Sequence, residues 1–208
     1  MNKFTSHTGI AVPLMADNID TDQIIPSREM KKVSKIGLAE GLFSGQKYLY
    51  EGNTKIGLNP DFILNSSKYK DSSIILSGKN FGCGSSREHA VWALFEYGFK
   101  AIIAQSFGEI FRLNCMRNHL LPIQLSEREI AYLVEQTSSD PVNNSLSIDL
   151  RKRQLLSPCG KRLQFELEQP YQEMLLMGWD FIDMALQRQD QIDQFIGSDR
   201  SLRNWAHL

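Results

Sequence analysis

The segment NFGCGSSREHA, Asn80 to Ala90, sets a thiol, two adjacent hydroxyls, a guanidinium, a carboxylate and an imidazole around two glycines. Hydroxyls and a guanidinium beside the first N–H groups of a helix make a natural seat for a carboxylate or phosphate. The same residues have a plainer use. Ser85 and Glu88 form an S-x-x-E capping pattern, and Ser86 could cap almost as well. Capping does not need two glycines, two serines and an arginine together, so both uses stay open. Familiar phosphate and nucleophile motifs are excluded by position. A dinucleotide G-x-G-x-x-G and a G-x-S-x-G elbow both fail at Arg87, no G-K-[ST] ending marks a P-loop, and no H-E-x-x-H is present.

The elements around this segment explain where it sits. DSSIILSG reads as a buried strand, SREHAVWALFEYGF as a helix with Ala90, Val91, Leu94 and Phe95 on one face, and KAIIAQS as a second strand. FGEIFRLNCMRNH then reads as a helix and LLPIQL as a third strand. This alternation predicts parallel pairing, and NFGCGSSREHA falls at the carboxyl end of the first strand, where ligands bind in open α/β sheets. SEREIAYLVEQT opens on a second capping box, Ser126 with Glu129. SLSIDL and RLQFELE alternate like two paired strands joined by a loop containing Pro158 and Gly160, and the segment from Pro170 to Ile196 is helical with a break at Gly178. Near the start, TGIAVPLMADNIDTDQIIP is a short strand followed by a polar turn. Between them, residues 31–57 hold five glycines without a clear period and read as a long excursion outside the core. The fold class is α/β, with a mixed, partly parallel sheet flanked by helices.

Composition excludes several functions. The 208 residues carry 23 Lys and Arg against 24 Asp and Glu, a formal charge of -1, so nucleic acid is not the expected partner. No apolar run is long enough for a membrane span, and MNKFTSHTGIAVPL lacks the apolar region of a signal peptide, so the expected location is cytoplasmic. Cys83, Cys115 and Cys159 lie 32 and 44 positions apart, without a C-x-x-C pair.

NFGCGSSREHA resembles the signature of the 3-isopropylmalate dehydratase small-subunit family, the swivelling β/β/α domain of the aconitase superfamily. NIDTDQIIP, NPDFILN, YGFKAIIAQSFGEIF, LLPIQL and FELEQPYQEMLLMGWDFIDMAL resemble family segments too, so the likeness runs from about residue 8 to about residue 196. It implies one swivel domain over residues 1–196 and leaves residues 197–208 as a tail outside any pattern, a partner contact or a disordered end. His119 stands where the family has glycine.

The resemblance implies roles. Ser85 would be the catalytic base, Arg87 would bind a substrate carboxylate, and Ser86 would add hydrogen bonds. Asp22 of DTDQIIP would reach the site and orient a neighbour, against the alternative that it only closes an Asx turn. Asp20 and Thr21 would shape that turn, and Glu88 and His89 would cap and scaffold. Residues 31–57 would set substrate selectivity, with Leu42, Phe43, Tyr48, Leu49 and Tyr50 as the apolar surface for an isopropyl group. The implied reaction is dehydration and rehydration, in leucine biosynthesis, of a hydroxy-dicarboxylate, 2-isopropylmalate to 3-isopropylmalate through isopropylmaleate. The resemblance implies no cofactor on this chain and a 4Fe-4S cluster on a partner large subunit. Rival readings are a related hydro-lyase of the homoaconitate, citraconate or methylmalate type, an anion-binding module, and a hydrolase with Ser85 as nucleophile.

Overall fold

Strand sequences here put apolar side chains on both sides of one sheet. The computed structural model describes residues 3–30, 34, 36–52, 54–84 and 87–206. Along the chain run β1 (Ser6–Leu14), α1 (Thr21–Ile24), α2 (Ser44–Lys47), β2 (Tyr48–Glu51), β3 (Thr54–Leu58), β4 (Ser72–Ser77), α3 (Glu88–Tyr97), β5 (Ala101–Ala104), α4 (Glu109–Arg117) and β6 (Leu121–Gln124). There follow α5 (Glu127–Ser138), β7 (Leu146–Asp149), β8 (Gln154–Leu156), β9 (Arg162–Gln164), α6 (Gln169–Met177), α7 (Phe181–Leu186) and α8 (Gln189–Leu202). The main sheet has seven strands in the order β6-β5-β4-β1-β7-β8-β9, and β2 and β3 form a separate hairpin. β1, β4, β5 and β6 are parallel to one another, whereas β7, β8 and β9 join antiparallel.

Period-two alternation sorts the core into two layers. Val12, Ile75, Ile102 and Ala104 face one cluster, with Leu94, Phe81, Phe111 and the α1 residue Ile24. Ala11, Ile74, Leu76, Ala101 and Ile103 face the other, with Ile130 and Leu133 of α5 and Met174 of α6. A strand covered on both faces is apolar at successive positions, which is why Ile74, Ile75 and Leu76 form a continuous run within DSSIILSG. Each such isoleucine or leucine contributes about 1.5–3 kcal/mol by leaving water.

The parallel β4-α3-β5-α4-β6 unit and the Ser126–Glu129 capping box are as the sequence predicts. Two expectations are corrected. SLSIDL and RLQFELE do not pair with each other, because the short strand β8 lies between them; Pro158 and Gly160 fall in the turn from β8 to β9. Residues 31–57 are not wholly outside the core: Leu38, Leu42 and Phe43 are buried, and the hairpin β2–β3 rises beyond them. α8 runs through Gly197 to Leu202.

Candidate active site

The segment that follows β4 is sewn by backbone hydrogen bonds to two other loops. The Gly82 N–H donates to the Ile19 carbonyl at 2.7 Å, and the Thr21 N–H donates to the Cys83 carbonyl at 3.0 Å. On the other side, the Phe81 N–H donates to the Ser106 carbonyl at 3.0 Å, and the Gly108 N–H to the Phe81 carbonyl at 2.9 Å. Gly82 has φ +74°, and a Cβ there would stand 2.1 Å from the Phe111 ring. A Cβ on Gly108 would stand 2.6 Å from the Gly82 carbonyl oxygen. Both glycines are there because loops approach one another too closely for a side chain.

This stitching brings the two sequence signatures together. The Asp20 carboxylate accepts from the Gln23 N–H at 2.6 Å and caps α1. The turn therefore belongs to Asp20, and Asp22 in the first turn of α1 faces outward to Arg87, with Oδ1 3.7 Å from Nη1. Both side chains are well exposed, 58% for Asp22 and 42% for Arg87. An exposed pair of that length is worth about 1 kcal/mol or less. The contact therefore constrains Arg87 only weakly.

Arg87 is the residue before α3, so Glu88 is the first helical position rather than the third. The Ser85–Glu88 capping box predicted from the sequence is out of phase with the helix that forms. Glu88 instead accepts from the Asn118 amide at 2.7 Å, and Asn118 accepts from the Trp92 indole N–H at 2.9 Å. His89 packs its ring on Trp92, 4.7 Å between centroids. Asn118 was invisible to sequence reasoning, since no spacing rule links it to position 88. Ser85 and Ser86 themselves lie outside the described residues.

The selectivity candidates divide by environment. Leu42 and Phe43 are each 1% exposed and pack into the core, so neither offers a surface to a ligand in this arrangement. Tyr48 and Tyr50 lie on one side of β2: Lys47 and Lys55 approach the Tyr48 ring, and the Arg28 guanidinium lies 4.6 Å from the centre of the Tyr50 ring. The Tyr50 hydroxyl donates to the Ser44 carbonyl at 3.2 Å. Leu49 alternates to the other side and is exposed, as are Ile56 and Leu58 of β3, which sequence reasoning did not single out. Lys55 pairs with Glu29 at 3.1 Å, so the hairpin is fastened to the segment just after α1.

A cleft of about 990 Å³, lined by Arg112, Gln124, Arg153, Gln164 and Glu168 among others, contains none of these residues. The three cysteines are separated as well. Cys83 is partly covered, and burial followed by the Asp20 carboxylate pushes its thiol pKa up. Cys115 is fully buried, and Cys159 is exposed in the β8–β9 turn. A cluster needs several thiolates converging on one point. These three do not fit one, and among the described residues no group of three or more His, Cys, Asp or Glu could hold a metal ion. No described helix is long and apolar enough to cross a membrane.

Comparison with known proteins decides the family. The family model "Aconitase C-terminal domain" matches residues 1–128. The 3-isopropylmalate dehydratase small subunit of Cupriavidus necator is 49% identical over 208 residues, covering 100% of this chain and 99% of that protein. This chain belongs to the 3-isopropylmalate dehydratase small-subunit family. The small subunit of Hahella chejuensis is 42% identical over 100% of this chain and 99% of its own length. The crystal structure of 3-isopropylmalate dehydratase from Methanocaldococcus jannaschii superimposes with a TM-score of 0.62 at 26% identity, covering 91% of this chain and 98% of that one. The fold expected from the resemblance is therefore the fold found: a mixed, partly parallel sheet flanked by helices.

One histidine has an unusual backbone: His119 has a φ of +57°. The turn from α4 to β6 calls for left-handed backbone there, which glycine adopts without strain. The buried His119 adopts it too, and its Nε2 donates to the Trp179 carbonyl at 3.1 Å.

Proposed function

We propose that this chain is the small subunit of 3-isopropylmalate dehydratase. With a large subunit it converts 2-isopropylmalate to 3-isopropylmalate through isopropylmaleate, a step of leucine biosynthesis in the cytoplasm. The observation that carries the reading is the meeting of Asp22 and Arg87, 65 positions apart in the chain, at the carboxyl end of the parallel strands. It unites the two signatures on a face open to a partner.

Within that reading, Arg87 takes one substrate carboxylate in its planar fork, displacing the weakly held Asp22. Asp22 keeps the guanidinium oriented between turnovers. Ser85, two residues before Arg87, removes the proton next to a carboxylate, and Ser86 adds hydrogen bonds to the bound anion. A serine works as a base only if its alkoxide is stabilised, and the start of α3 beside a guanidinium provides both dipole and charge. Departure of hydroxide needs a Lewis acid, which a 4Fe-4S cluster on the large subunit supplies. Leu49, Ile56 and Leu58 leave exposed apolar surface on the hairpin, suited to an isopropyl group. A substrate with a third carboxylate would want a free cation instead, and Arg28, Lys47 and Lys55 are already engaged with tyrosine rings and Glu29.

The test is anaerobic turnover of 2-isopropylmalate, with and without the cluster-loaded large subunit of the same genome. Activity only in the mixture is the expected result. Activity from this chain alone, or a well-formed complex that turns over a different hydroxy acid instead, overturns the reading.

A further inference from the structure

The foot of the 31–57 loop is held by one carboxylate from α3. Glu96 Oε1 accepts from the Gly37 N–H at 2.6 Å, while Oε2 accepts from the Leu38 N–H at 2.6 Å and the Ala39 N–H at 2.8 Å. Three successive N–H groups converge because the backbone alternates in hand. Gly37 has φ +89°, and Leu38 lies in the right-handed region at φ -87°, ψ -22°. Such an alternation forms a concave nest for an anion, and here the anion belongs to the protein. The three donors hold the Glu96 carboxyl below the usual glutamate range. The side chain itself is exposed, so nothing about the core requires it.

α3 links this anchor to the other end of the site. Its ten residues run from Glu88, next to Arg87, to Tyr97, a helix of about 15 Å at the usual rise. Leu38 is 2% exposed and packs in the same core layer as Leu94, one turn before the end of α3. The carboxylate-binding arginine and the base of the loop are thus fixed to opposite ends of one rigid rod.

We propose that Glu96 is a positioning residue for substrate selectivity, seating the Gly37–Ala39 turn on α3 and so setting the distance between the exposed apolar side chains of the hairpin, Leu49 among them, and Arg87. This rests on reading residues 31–57 as the selectivity element. Gln at this position keeps the length but turns an NH2 group toward backbone N–H donors, whereas Asp keeps the charge with a shorter reach.

The experiment compares Glu96→Gln, Glu96→Asp and Leu49→Ala in the assembled two-subunit enzyme, on 2-isopropylmalate and on a methyl-substituted malate. Glu96→Gln is expected to lower kcat/KM for isopropylmalate about tenfold, mainly through KM, with the methyl substrate changed by less than about twofold. Glu96→Asp should restore part of the difference. Amide exchange should quicken at residues 37–39 and stay slow in α3. Equal loss on both substrates would make Glu96 a merely structural residue and overturn the proposal. If Leu49→Ala shifts the ratio of substrates and Glu96→Gln does not, the proposal falls while the loop reading stands. If neither variant shifts it, the loop reading fails and takes the proposal with it.

Discussion

The turn from Asn80 to Arg87 and the loop around the β2–β3 hairpin are held by different kinds of bond. The first is tied by main-chain hydrogen bonds to residues 19–21 and 106–108, with glycines at the closest approaches. The second is tied mostly by side chains: Glu96 under its foot, Arg28 on Tyr50, and Lys55 on Glu29. Main-chain bonds survive most substitutions, whereas side-chain anchors vanish with the residue that makes them. On the proposed reading, the reaction chemistry would sit where sequence change alters it least, and selectivity where single substitutions can retune it.

The contrast can be broken at several points. The largest effect belongs to Ser85→Ala, which should lower kcat about 10²–10⁴-fold, the usual worth of a positioned base, while the two-subunit complex still forms on a sizing column. Arg87→Lys keeps the charge but loses the fork. An expected rise in KM of about 10–100-fold corresponds to one or two charge-assisted hydrogen bonds, read by steady-state kinetics. Gly82→Ala tests the stitched turn through stability. Forcing a Cβ against Phe111 at positive φ should cost about 1–3 kcal/mol in a denaturant melt. A neutral result would mean the turn is not as tightly bound as its hydrogen bonds imply. Leu49→Ala should change discrimination between isopropyl and methyl substrates by roughly tenfold or less, leaving the melting temperature in place.

The smallest effect is a pH dependence confined to the loop. The Glu96 carboxyl is held below its ordinary value of 4.5 in the folded protein, chiefly by the Gly37 N–H. Its contribution is therefore complete above that ordinary value and is lost as pH falls through the lower folded one. Protection of the amides of residues 37–39, their exchange rate relative to the intrinsic rate at the same pH, should hold from pH 7 to pH 5 and fall only in more acid solution, before residues 81–83 respond.

What could be read from the sequence follows the same division. β4, α3, β5, α4 and β6 were legible because burial on both faces leaves long apolar runs between clear turn signals. The Ser126–Glu129 box was legible because both partners lie within one turn. The hairpin was not, since β2 is only four residues long and β3 is exposed at every position, so neither carries the buried face that marks a strand. β8 is three residues long beside a run of basic residues, too short to declare itself. The Asp22–Arg87 pair and the Glu96 nest are contacts between distant segments that periodicity cannot foresee; only the family likeness pointed to the first, and nothing pointed to the second. Leu42 and Phe43 read as a possible ligand surface because the family likeness implies an apolar wall in residues 31–57, yet burial claims both.

The two-layered core has a consequence for how this sequence can drift. Ile74 and Ile75 are neighbours in the chain, but they pack into different layers. A change of volume at Ile75 can be absorbed by Val12, Ile102 or Leu94, and one at Ile74 by Ala11, Ile103 or Leu133. The sheet therefore partitions compensating substitutions into two independent sets. Among relatives, core positions should co-vary within a layer and hardly at all across it, even where they are adjacent in sequence.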